Sequence, residues 1–120
     1  MIFSDSLKKN NDFINVYKNG KSYGNKYLVL YVLENKTQFN RIGITVSKKV
    51  GNSIVRHRLT RLIRESYRLH EKMFNSGLDI VVVAKVSAKD INYEKINSAL
   101  LHLGKIGKII LEWLNDSLFI

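Results

Sequence analysis

"RIGITVSKKVGNSIVRHRLTRLIRESYR", residues 41–68, changes its hydrophobic period partway along. Ile42, Ile44 and Val46 alternate with Gly43, Thr45 and Ser47, the period of two expected of a strand with one buried face. Gly51 then allows a tight exit, Asn52 or Ser53 is a good helix N-cap, and the apolar residues after it follow a helical period. At about 100° per residue, Val55, Leu59, Leu62, Ile63 and Met73 share one arc. Arg56, His57, Arg61, Arg64 and Arg68 fall in the opposite half, with Arg58 at its edge. A strand therefore leads into a helix that is anchored by an apolar stripe and turns guanidiniums outward.

Residues 48–68 hold seven Lys and Arg and one acid, Glu65. Like charges repel, so such a segment costs folding stability unless an external partner supplies the opposite sign. The whole chain carries a formal charge of +10, of which +7 lies in residues 41–72 and none in residues 73–120. Clustering of this kind is the footprint of a polyanion binder, the plainer alternative being a solvated basic face. Spacings of three and four hold the outward groups about 5–6 Å apart at Cβ, near the spacing of successive phosphates along a strand. Guanidinium suits paired hydrogen bonds to phosphate oxygens. Lys48 and Lys49, just ahead of the cap, extend the positive surface. A nucleic-acid backbone is the natural counter-charge.

Around this segment, helices and strands alternate. "SDSLKKNNDFINVYKNG" opens on capping residues, carries Phe13, Ile14 and Tyr17 at helical spacing and stops at Gly20, which predicts a helix over about 6–18. "KYLVLYVLE" (26–34) reads as a strand, joined to 41–47 by a hairpin connection through "NKTQFNR". "LDIVVVAKV" (78–86) reads as a central buried strand. From Asn92, Ile96, Ala99, Leu100 and Leu103 predict another helix, with "GKIGK" (104–108) a break before a last helical piece through Trp113. The order α-β-β-α-β-α, with room for a short extra strand at 21–24, predicts an α+β fold: a two-layer sandwich forming a single domain over residues 1–120.

Cysteine is absent, which removes disulfide scaffolds and thiolate metal sites and suits a reducing cytoplasm. The N-terminus lacks the apolar run of a secretory signal, and no stretch reaches the length of a membrane span. The acids form no Asp-x-Asp or Glu-x-x-His cluster, and His57, His70 and His102 are far apart in sequence, so no catalytic centre is legible. "VGNS" lacks the spacing of a phosphate-binding loop. A basic amphipathic helix also suits a membrane surface, but Leu59, Leu62 and Ile63 are needed for the core. The remaining alternatives are a ribosomal protein and a stand-alone nuclease.

"TVSKKVGNSIVRHRLTRLIRE" resembles the hallmark stretch of the protein subunit of bacterial ribonuclease P, Ser-Lys-Lys followed by Gly-Asn and an Arg-Asn-Arg triplet. "NDFINVYKNGKSYGNKYLVLY" looks like the family's N-terminal helix and first strands, and "SALLHL" like its C-terminal helix, so the resemblance covers residues 7 to 104. The centre of the triplet is His57 here, and the basic position two residues beyond it is Thr60. In the family that asparagine is associated with RNA and metal-linked contacts; imidazole still donates to a phosphate or ribose.

The resemblance implies a left-handed β-α-β crossover, against the usual hand. It further implies that a catalytic RNA removes the 5′ leader of precursor tRNA while the protein binds that RNA and the single-stranded leader. The RNA-binding residues it implies are Lys48, Lys49, Asn52, Arg56, His57, Arg58, Arg61, Arg64 and Arg68. Phe13, Tyr17 and Tyr31 correspond to leader-cleft positions, although aromatics of this kind more often fill cores. Mg²⁺ is implied mainly on the RNA and substrate, with no metal or catalytic residue on the protein, no membrane partner and no small-molecule substrate.

Overall fold

The computed structural model describes residues 3–110. Its elements are β1 (Ser4–Ser6), α1 (Asn10–Asn19), β2 (Lys21–Gly24), β3 (Leu28–Glu34), β4 (Asn40–Thr45), α2 (Ser53–His70), β5 (Leu78–Ala84) and α3 (Tyr93–Ile106). Short 3-10 turns occupy Glu71–Met73 and Val86–Ala88. One sheet runs in the order β1-β4-β5-β3-β2. The α+β sandwich is thus observed, with the extra strand at 21–24 present as β2. The last helical piece expected through Trp113 lies outside the described residues.

Alternation along the strands assigns the two faces. Leu28, Leu30, Ile42, Ile80 and Val82 face the main core with Leu59, Ile63 and Tyr67 of α2 and Ile96, Leu100 and Leu103 of α3. On the other face, Val81 packs with Leu7 and Val16, with Phe13, Tyr31, Leu33 and Val83 partly buried against them. The α2–α3 layer accounts for most of the buried apolar surface, while α1 covers part of the opposite face.

Three details differ from the sequence reading. Strands 26–34 and 41–47 do not form a hairpin: β3 pairs antiparallel with β5, and β4 pairs parallel with β5 on its other side. The most apolar strand takes the centre because both of its faces are covered. The 35–39 connection passes the end of β5, where Asn35 N–H donates to Gly77 O (2.9 Å) and Asn35 Nδ2 donates to Asp79 Oδ1 (3.0 Å). Secondly, the capping residues near position 5 form an edge strand, β1, parallel to β4, and α1 starts only at Asn10. Pairing protects the outer edge of β4, and Leu7 N–H extends it by donating to Ile42 O (2.8 Å). Thirdly, Met73 belongs to the 3-10 turn after α2, although it still packs against the core.

Asn52 caps α2, its Oδ1 accepting from Val55 N–H (3.0 Å), and Asn92 caps α3 through Lys95 N–H (3.0 Å). Where β4 and β5 begin, buried Asn40 accepts from Leu78 N–H (2.9 Å) and donates to Asn75 O (2.7 Å) and the Tyr67 hydroxyl (3.2 Å). Asn40→Ala removes all three bonds at a site only 4% exposed. Each orphaned buried group costs about 1–3 kcal/mol, so urea denaturation of the variant is expected to show a clearly lowered midpoint with an unchanged slope. A wild-type midpoint would refute this role for Asn40.

Candidate nucleic-acid interface

The apolar stripe of α2 seats as its periodicity requires. Leu59 and Ile63 are fully buried, and Val55 and Leu62 are packed partly buried against the same core. On the outer side, His57, Arg61, Arg64 and Arg68 are exposed, as are Lys48, Lys49 and Asn52. Two arginines are less free than the helical wheel suggests. Arg58 is half-buried and donates from Nη2 to Ile91 O (2.8 Å), tying α2 to the segment before α3. Arg56 is half-buried, with its Nε buried and unpartnered.

Acids answer this charge near the C-terminal end of α2, where Glu65 and Glu71 both act on Arg68. Arg68 holds Glu65 through two bonds, Nε to Oε2 (3.0 Å) and Nη2 to Oε1 (2.5 Å). The Arg68 guanidinium keeps the Glu65 carboxyl below its ordinary range by hydrogen bonding, with a smaller charge contribution. Thr60, at the position where the resembling family carries a basic residue, turns its hydroxyl back to donate to Arg56 O (2.9 Å). His57, Arg61 and Arg64 make no side-chain hydrogen bond or ion pair among the described residues, leaving their donors directed to solvent.

The aromatic trio gathers on the opposite face of the sheet. Phe13 and Tyr17 of α1 have ring centroids 6.4 Å apart, and Tyr17 meets Tyr31 of β3 edge-on at 4.9 Å. Tyr17 is 38% exposed, while Phe13 and Tyr31 are half-buried. Their helical and strand positions are far apart in sequence, so this convergence is produced by packing α1 on the sheet.

Two residues that the sequence reading left out hold this cluster. Gly43 allows Phe13 to lie close on β4: a Cβ there would stand 2.6 Å from the Phe13 ring. The Thr45 hydroxyl bonds the Tyr17 hydroxyl (2.9 Å). Both sit on the small-residue face of "RIGITVS", which alternation alone marks as non-core; the run of small side chains was the available signal that another element approaches. Lys48 follows Thr45 by three residues, so the chain passes from the aromatic face to the head of α2 through the Ser-Lys-Lys segment.

Among the described residues no group of three or more His, Asp or Glu is placed to hold a metal ion. No helix among them is long and apolar enough to cross a membrane. What the arrangement offers is binding chemistry: a row of cationic donors on one side and partly exposed aromatic rings on the other.

The family model described as Ribonuclease P matches residues 3–107. The ribonuclease P protein component of Lachnoclostridium phytofermentans is 64% identical over 107 residues, covering 89% of this chain and 92% of that protein. The RNase P protein of Staphylococcus aureus superposes with a TM-score of 0.83 at 39% identity, covering 89% of this chain and 98% of that one. That of Thermotoga maritima gives 0.76 at 31% identity, over 82% and 94% of the respective chains. The chain belongs to the ribonuclease P protein family.

The different environments of the arginines predict different mutational behaviour. Arg61→Ala and Arg64→Ala are expected to leave stability within about 0.5 kcal/mol, as exposed substitutions do. Arg58→Ala loses a charge-assisted bond to Ile91 O and is expected to cost about 1–3 kcal/mol. Thermal unfolding of the three variants side by side checks this; equal stability would mean that the Arg58 tie contributes nothing.

Proposed function

Taking membership of the ribonuclease P protein family as the premise, we propose that this chain is the non-catalytic subunit of a ribonucleoprotein that removes the 5′ leader from precursor tRNA. In this reading α2, with Lys48, Lys49, Asn52 and the outward row from Arg56 to Arg68, binds the catalytic RNA. Phe13, Tyr17 and Tyr31 receive the single-stranded leader. The observation that carries the division is the convergence of these three rings on the sheet face opposite α2. Unpaired bases stack on aromatic rings with little sequence preference, which suits a subunit serving many different precursors.

The hydrolysis belongs to the RNA. Mg²⁺ is held mainly by RNA and substrate, and the protein assists by lowering the repulsion between phosphate chains that must approach one another. Its working compartment is the cytoplasm, where precursor tRNA is processed. A cation-rich protein surface and a high concentration of divalent ions relieve the same repulsion, so their effects overlap rather than add.

The leader assignment is tested most cleanly at Tyr17, the most exposed of the three; Phe13 also seats α1 against Gly43. Tyr17→Ala is expected to weaken precursor tRNA binding to the assembled complex by roughly five- to 150-fold, the equivalent of one base stack at about 1–3 kcal/mol. Mature tRNA, which lacks the leader, is expected to bind as to wild type, and assembly with the catalytic RNA to be unchanged. An equal loss for precursor and mature tRNA would refute the leader assignment.

Delegated chemistry has its own consequence. The protein alone is expected to leave precursor tRNA uncut, to stimulate the catalytic RNA strongly at low Mg²⁺ and to stimulate it little at high Mg²⁺. Cleavage of precursor tRNA by RNA-free protein would end this reading.

A further inference from the structure

A second group of cationic donors lies away from α2, where the turn between β2 and β3 meets α3. Asn25, Lys26, Tyr27, Lys95, Ser98 and His102 line a shallow depression of about 290 Å³ there. No carboxylate lines it; Glu94, the only acid of α3, stands one helical turn before Ser98, beside the depression. Ser66 of α2 bonds Asn97 (2.7 Å), so α2 packs on the flank of α3 that carries Asn97. At about 100° per residue, Lys95, Ser98 and His102 lie on the far flank. The depression is therefore separate from the arginine row.

Hydrogen bonding fixes what His102 presents. Asn25 Oδ1 accepts from Tyr27 N–H (3.1 Å) and Leu28 N–H (3.0 Å), which leaves Nδ2 as the donating end of the amide. Nδ2 donates to Ala99 O (2.9 Å) and reaches His102 Nδ1 at 3.3 Å. Nδ1 is then an acceptor, so in the neutral ring the proton sits on Nε2, a donor with no protein partner among the described residues. Lys95 Nζ also lacks an acceptor among those residues. Lys26 Nζ stands 5.4 Å from the centre of the Tyr27 ring, and no acid among the described residues pairs with it.

The floor is rigid. Asn25 N–H donates to Leu28 O (3.0 Å), Lys85 Nζ donates to Asn25 O, and Ser87 Oγ donates to Lys26 O. Lys85 N–H donates to Tyr27 O (2.9 Å), joining the turn to the end of β5. Two lysines and an oriented imidazole N–H thus line one hydrogen-bonded surface that has no carboxylate in its lining.

We propose that this depression is a second RNA site, in which Lys26, Lys95 and His102 Nε2 hold one backbone phosphate of the same ribonucleoprotein. The proposal rests on the RNA-binding reading above and adds a contact on the far flank of α3. It makes the RNA footprint extend around α3, so that RNA grips the domain from two sides rather than along α2 alone.

The test uses the intact protein with Lys26→Gln and Lys95→Gln combined, beside an Arg61→Ala, Arg64→Ala variant. Titration with inorganic phosphate at constant ionic strength, followed by NMR, is expected to shift Lys26, Lys95, Ser98 and His102 resonances in wild type and not in the lysine variant. Binding to the cognate catalytic RNA is expected to weaken several-fold, with the magnitude of the log–log salt slope reduced by about one unit, one phosphate contact being lost. Phosphate shifts confined to α2, or wild-type affinity and slope in the lysine variant, would overturn the proposal. If the arginine variant alone loses slope, the depression fails and the arginine row stands; if the lysine variant alone loses slope, the depression stands and the arginine row fails.

Discussion

The structure depends on the burial of β5 from both sides. Leu78, Ile80, Val82 and Ala84 face the large core under α2 and α3, and Val81 faces the small cluster under α1. A one-residue slip would exchange the two faces, so the alternation fixes the register of both neighbours. Asp79 reinforces it. This carboxylate is 2% exposed and opposite Arg41 in the β4–β5 register, where Nε and Nη2 bind its two oxygens at 2.8 and 2.6 Å. An unpaired carboxylate at that depth is costly, so correct pairing is favoured by charge as well as by hydrophobic contact. Arg41 also reaches Asp12 (3.3 Å), which draws α1 onto the sheet. With β4 placed in this way, Gly43 and Thr45 are set under Phe13 and Tyr17, and Lys48, Lys49 and the cap of α2 follow directly.

That scaffold has to hold a helix with poor electrostatics. Among the outward groups of α2, the described acids supply one local ion pair, between Arg68 and Glu65. The helix stays seated because Leu59 and Ile63 are fully buried and Arg58 is tied to Ile91 O. Burying one such aliphatic side chain contributes about 1.5–3 kcal/mol, against at most about 1 kcal/mol for an exposed charge pair. Packing therefore outweighs repulsion among well-solvated cations, which salt screens further. The positive surface can remain uncompensated in the folded protein and be neutralised by a phosphate chain on binding.

Most of the architecture was legible because its signals are local. The period change between residues 41 and 68, the apolar run of β5 and the cap at Asn52 each specify an element by themselves. Strand order was not legible. The pairing of β3 and β4 to opposite sides of β5 is decided by which strand is buried on both faces, a property of the whole sheet. The edge strand β1 was hidden because "SDS" carries no apolar alternation and gains its place from backbone pairing with β4. At the candidate interface, the outward row of α2 followed from the helical period, but the half-burial of Arg58 did not, because it arises from the neighbouring segment around Ile91. The aromatic trio was named from the family resemblance; its convergence depends on Gly43, whose importance is visible only once Phe13 lies over it.

The two departures from the family pattern have unequal weight once α2 is in place. His57, Arg61, Arg64 and Arg68 are spaced by four, three and four, so they lie along one line of the helix. Thr60 sits to the side of that line, and its hydroxyl is spent on Arg56 O. A basic residue at position 60 would broaden the positive stripe, but the stripe is continuous without it. Position 57 lies within the line. An asparagine there would offer an amide, whereas imidazole offers a ring N–H donor and a ring nitrogen acceptor. The histidine at 57 therefore keeps a donor in the row and changes its shape, while the threonine at 60 narrows the row without interrupting it.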